Sequence, residues 1–151
     1  MYNTEPHSWN CEVCGNAIER AEDGCIEWMY KYRPRVPLVT GLRLVHNWVG
    51  CRHDLMLRNV AEIDYVDRRI PLNDCIGVDG LMYLLSLISS RTLPKDAGRE
   101  IIQRLHVPGY DTAHRHFSAA IKAGVIEAPI NGYYRQRDIN AVLNWLRDQP
   151  R

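Results

Sequence analysis

The sequence has no apolar run approaching the roughly 20 residues that a membrane-spanning helix needs. Its mean hydropathy of −0.34 agrees, so no membrane partner is expected. Residues Met1 to His7 lack the basic start and apolar core of a secretory signal, so an intracellular, cytoplasmic protein is expected. No Gly-x-Ser-x-Gly elbow, phosphate loop, His-Glu-x-x-His helix or dinucleotide fingerprint is present, and a non-enzymatic protein is the expectation. No repeat or low-complexity segment appears. A strong net charge is missing too, with 19 Lys+Arg set against 18 Asp+Glu, so there is no global basic signature of a nucleic-acid binder. Lysine is scarce, at 3 residues against 16 arginines. Arginine forks suit phosphate and carboxylate, and a GC-rich genome produces the same bias.

What is present is cysteine, in an odd number. Five cysteines do not close as a disulfide framework, and Cys11-Glu12-Val13-Cys14-Gly15 has the spacing of a metal knuckle. Two thiolates separated by two residues can face one ion, and the turn behind the second favours a positive φ, which glycine adopts without a Cβ clash. Ile18 follows at the spacing of a residue tucked beneath such a turn. From Cys25 the chain alternates, with Ile26, Trp28, Tyr30 and Tyr32 on one face and Cys25, Glu27, Met29 and Lys31 on the other. That is a strand. Arg33-Pro34-Arg35-Val36-Pro37 must break it, because proline supplies no ladder N–H. A second strand through Leu42 to His46 pairs with the first across a loop that includes Gly41.

His46 thus ends a strand, and Cys51 follows after Asn47-Trp48-Val49-Gly50. Leu55, Met56, Val60, Ile63 and Tyr65 recur at roughly helical spacing, which puts Cys51 at a helix N-terminus. The expected ligand set is Cys11, Cys14, His46 and Cys51 around structural Zn2+, with thiolates at about 2.3 Å and imidazole at about 2.0–2.1 Å. His53 in place of His46 or Cys51 is an alternative, as are ordinary buried cysteines with no metal. Cys25 and Cys75 read as buried apolar thiols. Knuckle, hairpin, then a ligand on the first turn of a helix resembles a treble-clef zinc finger over residues 9–66. Leu44-Val45-His46-Asn47 also resembles the start of the HNH nuclease motif. That likeness implies a water-activating His46 but leaves no room for the loop bearing that family's central asparagine.

A segment rich in Pro, Asn, Asp and Gly, residues 71–77, reads as a linker, dividing the chain into a zinc module, 1–70, and a helical module, 78–151. Residues 1–77 carry 9 Lys/Arg and 11 Asp/Glu, whereas residues 78–151 carry 10 and 7. In the second half Asp79 is positioned to cap a helix through Leu81 to Ile88, apolar nearly all round and therefore expected to be central and buried. A second helix starts near Pro94 with Ala97, Ile101, Ile102 and Leu105 inward, and ends at Val107-Pro108-Gly109. Asp111 or Thr112 caps a third, whose inward residues are Ala113, Phe117, Ala120 and Ile121, stopping at Gly124. Val125 to Arg135, turning at Asn131-Gly132, reads as a β-hairpin. Asp138 caps a last helix with Ile139, Val142, Leu143 and Leu146 inward.

Three helices and a short hairpin give the element order of a winged-helix domain, and residues 105–143 are similar to small uncharacterised bacterial proteins. The fold class expected is therefore α+β, in a bacterial or phage protein. It combines a zinc-bound treble-clef-like module with a mostly helical winged-helix-like one. The winged-helix resemblance implies double-stranded DNA as partner. Thr112, His114, Arg115, Ser118 and Lys122 lie on the outward face of helix 112–123, and Arg135 and Arg137 extend from hairpin 125–135. Asp111 at the start of that helix opposes phosphate. The alternatives are a solvated face with a protein partner, and the HNH-like nuclease.

Overall fold

The computed structural model describes residues 8–31, 38–52 and 65–150, and the chain divides into two compact units, Met1–Ile102 and Gln103–Arg151.

The first unit is built on an antiparallel sheet. Strand β3 (Gly24–Lys31) lies between β4 (Leu38–His46) and β5 (Tyr65–Pro71). Before it, β1 (Trp9–Asn10) and β2 (Ala17–Ile18) form a two-residue ladder in which Trp9 faces Ile18. The expected hairpin of the first two long strands is present, with Ile26 opposite Leu44 and Gly24 opposite His46. Its second strand starts earlier than expected, at Leu38, so Gly41 lies inside the strand. Glu27 pairs with Arg43 but Met29 pairs with Thr40, which leaves one extra residue on β4. A glycine at such a bulge lets the strand bend without a side-chain clash.

A third strand was not expected. Tyr65, read as the last residue of a helix, instead begins β5, which pairs with β3 from Lys31↔Tyr65 to Cys25↔Pro71. The alternation Val66, Arg68, Ile70 is short and mixed, and it becomes a strand because an open edge of β3 takes its backbone groups. Residues 53–64, which hold His53 and the rest of the helix expected after Cys51, lie outside the described residues, as does the proline-rich break at 32–37. The linker segment 71–77 is structured at its centre. Leu72–Asp74 forms a single tight turn, and Leu72 is fully buried.

Helix α1 (Gly77–Ser89) begins earlier than expected, and Asp79 lies inside its first turn without capping it. The helix is not buried all round. Gly80 and Leu84 face inward, whereas Val78 is 80% exposed and Met82 61%. Apolar residues on every side show only that the helix lacks a polar face; how many sides are covered depends on what packs there. Helix α2 (Lys95–His106) follows Pro94. Its Gly98 lies so close to Ile88 of α1 that a Cβ there would meet Ile88 Cγ1 at 2.6 Å.

The second unit has one core, formed by Tyr110, Ala113, Phe117, Ala120, Ile126, Ile139 and Val142. Helix α3 (Tyr110–Ala113), a 3-10 turn at His114–His116 and helix α4 (Phe117–Lys122) replace the single helix expected at 112–123. Neither Asp111 nor Thr112 caps α3, whose N-cap is Gly109 at φ 77°. Asp111 is instead 5% exposed and accepts from Arg104 Nε at 2.6 Å, with Arg104 itself 6% exposed. A carboxylate so paired no longer opposes an approaching phosphate as a free charge would. In helix α5 (Gln136–Arg147), Asp138 sits three residues past the N-cap and reaches back, accepting from Arg135 N at 3.2 Å.

The β-hairpin expected at 125–135 does not form: no strand occurs there. Pro129 removes one ladder donor. Val125 N is spent on Ala120 O at 2.9 Å, and Tyr134 stacks on Phe117 with ring centroids 3.7 Å apart. Side-chain docking to the helical core replaces strand pairing. Phe117→Ala should therefore cost about 3–5 kcal/mol in urea unfolding. It should also expose the 125–135 segment to limited proteolysis, whereas unchanged cleavage there would show that Tyr134 docks without Phe117.

Candidate metal centre

Cys11, Cys14, His46 and Cys51 come together at the end of the sheet nearest the β1–β2 ladder. Their ligand atoms all lie within 4.8 Å of one another, close enough to hold a metal ion, and none of the cysteines is in a disulfide. The knuckle is closed by two backbone bonds, Gly15 N to Cys11 O and Cys11 N to Asn16 O, both 3.0 Å. Gly15 takes φ 74°, the left-handed conformation expected of it. Glu12 fastens this loop to β4, because its N–H donates to Leu44 O at 3.0 Å and its Oε2 accepts from Leu44 N at 2.5 Å.

His46 ends β4 and is 3% exposed. Its Nε2 lies 3.0 Å from Ala17 O. A carbonyl can only accept, so Nε2 carries the hydrogen and Nδ1 presents a lone pair. Nδ1 faces the sulfurs, at 3.3 Å from Cys14 Sγ and 3.9 Å from Cys51 Sγ. Trp48 stacks on the His46 ring at 4.0 Å with an interplanar angle of 13°. Cys51 lies in the turn that follows, its N–H donating to Trp48 O at 3.0 Å. Cys11 and Cys51 are buried and Cys14 is exposed, so one ligand faces solvent.

The thiols do not ionise alike. Burial pushes Cys11 up, but the N–H groups of Cys14, His46 and Val13 turn toward its sulfur and together bring it down to about 6. Burial pushes Cys51 up, and hydrogen bonding to the sulfurs of Cys11 and Cys14 adds to it, reaching about 11. Crowded sulfurs resist sharing negative charge, and a cation among them would relieve that resistance.

Four partners of the site were not legible as such: the Ala17 carbonyl, the Glu12 carboxylate, the Trp48 ring and Arg43. Arg43 donates from Nη2 to Cys51 O at 3.4 Å and from Nε to Glu27 Oε1 at 2.8 Å. Trp48, between two ligands, was the one visible signal. The others depend on long-range contacts, Arg43 on the register that sets it opposite Glu27.

The second group of expected site residues lies in the other unit. Thr112, Arg115, Ser118, Lys122, Arg135 and Arg137 are all exposed. The 3-10 turn at 114–116 separates Thr112 from Ser118 and Lys122. His114 is half-buried, stacks on Tyr110 at 5.6 Å and donates from Nδ1 to Tyr110 O at 3.1 Å. Arg135 and Arg137 line an open cavity of about 560 Å3 together with Tyr133, Asn131, Glu127 and Asp138, so both signs of charge edge it.

No known protein family, curated protein or solved structure compared with the chain matches it. Fold and site together define an α+β protein with a three-cysteine, one-histidine cluster near its amino-terminal end. Among the described residues no helix is long and apolar enough to cross a membrane.

Cys25 and Cys75 stand apart from the cluster, both fully buried. Burial, with the charges of Asp74 and Cys25 in support, pushes the Cys75 thiol up to about 12. Unfolded, that thiol ionises near 9, so its contribution to stability is complete below pH 9 and declines as pH rises toward 12. Urea unfolding at pH 8 and pH 10.5 should show that decline, and Cys75→Ala should reduce it. An equal decline in Cys75→Ala would assign it to other groups.

Proposed function

We propose that Cys11, Cys14, His46 and Cys51 hold one structural Zn2+, and that the chain is a non-enzymatic, zinc-stabilised binding protein. The observation that carries the metal is the gathering of four soft or borderline donors within 4.8 Å, a set that suits tetrahedral zinc better than the hard cations. Four protein ligands leave no position for a reactive water, which favours a structural over a catalytic ion. The order of knuckle and hairpin supports a treble-clef-like reading of the module. The nuclease reading needs a free His46 nitrogen. Nε2 is occupied by Ala17 O and Nδ1 faces the thiols, so nothing favours it.

Zinc analysis should return one ion per chain. A strong chelator should abolish the protection of amides such as Ile18 and Leu44 from hydrogen exchange, since structural zinc contributes on the order of 10–16 kcal/mol of apparent binding energy. Protection that survives full chelation would remove the structural role.

For a partner we propose double-stranded DNA, met by Arg115 with Ser118 and Lys122, and by Arg135 and Arg137 further along the chain. What supports this is exposure and charge. Arg115, Lys122 and Arg135 have no ion-pair partner among the described residues, and Asp111 is neutralised by Arg104. A winged-helix-like reading now rests on the order of α2, α3–α4 and α5, because the wing would be an irregular loop. The second reading, a protein-interaction adaptor, is favoured by the exposed apolar residues Val78, Met82 and Leu85 on α1. At four- and three-residue steps they share one side of that helix.

Affinity for duplex DNA should fall with log[salt]. Arg115→Ala and Lys122→Ala should each reduce that slope by about 1 if they contact phosphate. No binding at low salt would remove DNA as partner and leave the adaptor reading standing.

A further inference from the structure

The four ligands differ in what ties them to the sheet. Cys11 and Cys14 lie in the closed knuckle, and the Cys11 sulfur accepts from His46 N at 3.4 Å. His46 is laddered opposite Gly24. Cys51 lies beyond the end of β4, in the turn built on Trp48 O. Among the described residues a side chain of the sheet reaches its backbone: Arg43 donates from Nη2 to Cys51 O.

Arg43 is itself anchored. Glu27, on the central strand, is 0% exposed and stands in register with Arg43 on β4 and Arg69 on β5. Its Oε1 takes Arg43 Nε at 2.8 Å, and its Oε2 lies 3.6 Å from Arg69 Nη2. A buried carboxylate between two guanidinium groups fixes both forks. One edge of the Arg43 fork is thus committed to Glu27, and another nitrogen of the same plane is delivered to Cys51. Lysine, with a single ammonium on a flexible stem, cannot hold two such acceptors in a fixed relation. The charges also complement one another. Zn2+ with three thiolates and a neutral imidazole carries a net charge of −1, whereas the Glu27–Arg43–Arg69 row carries +1.

Resting on the zinc reading above, we infer that Arg43 is a positioning residue of the metal centre, holding the Cys51 ligand in place from the buried carboxylate of Glu27. Outer partners of metal ligands are typically worth about 10–100-fold in metal affinity.

The test uses the full chain with Co2+ as probe. Sulfur-to-cobalt charge transfer reports thiolate ligation, and Zn2+ competition reports affinity. Cys51→Ser defines the loss of one thiolate. Arg43→Met should weaken binding about 10–100-fold, speed metal release to a chelator and move the charge-transfer intensity toward that of Cys51→Ser. Arg43→Lys should not rescue it. Arg69→Met also removes a partner of Glu27, but on the strand across β3 from β4, and should leave the spectrum and affinity near those of the parent. Parent-like affinity and spectrum in Arg43→Met would overturn the inference. So would an equal loss in Arg69→Met, which would show general damage to the sheet. Should Arg43→Met not fold, Glu27→Gln, which keeps the volume and weakens the anchor, should give the same spectral change. Its absence would overturn the inference equally. A parent chain that does not bind Co2+ through thiolates would instead remove the zinc reading itself.

Discussion

Antiparallel pairing along β3 governs the first unit. By setting Gly24 opposite His46, it places the imidazole at the end of the sheet nearest the knuckle. By setting Glu27 between Arg43 and Arg69, it gives a buried carboxylate a cation on each side. A slip of β4 by one residue against β3 would turn His46 to the other face and part Glu27 from Arg43. The donor cluster therefore depends on sheet register: the ladder aims His46 at the knuckle, and a cation among the four donors would tie the knuckle to the strand.

The cluster gains its chemical character from burial and from directed N–H groups. Cys11 and Cys51 are both buried thiols in one small volume, yet they shift in opposite directions. The difference is the set of backbone donors aimed at Cys11, which the knuckle and the end of β4 supply and the turn at Cys51 does not. His46 completes the arrangement through its second nitrogen, since the Ala17 carbonyl selects the tautomer that leaves Nδ1 facing the sulfurs.

The second unit solves a different problem with little apolar material. Its short helices close around Phe117 and Ile139, and the segment from Val125 to Arg135 is held by the stacking of Tyr134 on Phe117 in place of strand pairing. The Arg104–Asp111 pair lies inside. The cations Arg115, Lys122 and Arg135 face solvent.

Local chemistry was legible from residues alone. The Cys-x-x-Cys-Gly knuckle, the strand from Cys25 and the inward faces of the last helices all follow from spacing, because each depends on residues only a few positions apart or on periodicity. His46 and Cys51 were legible as donors by residue type, and the β3–β4 register brings His46 to the knuckle. What depended on distant pairing was not. Tyr65 to Pro71 became a strand because β3 had an open edge. The apolar α1 kept Val78 and Met82 in solvent because composition does not say what covers a helix. The hairpin at 125–135 gave way to an irregular segment because one aromatic found a stacking partner in the helical core. The row Glu27–Arg43–Arg69 exists only in the register of three strands. Sequence by itself determined which residues could serve as ligands and the period of most elements. Tertiary structure alone decided which strand edges, aromatic faces and charges found partners, since those energies arise between groups that the chain order leaves far apart.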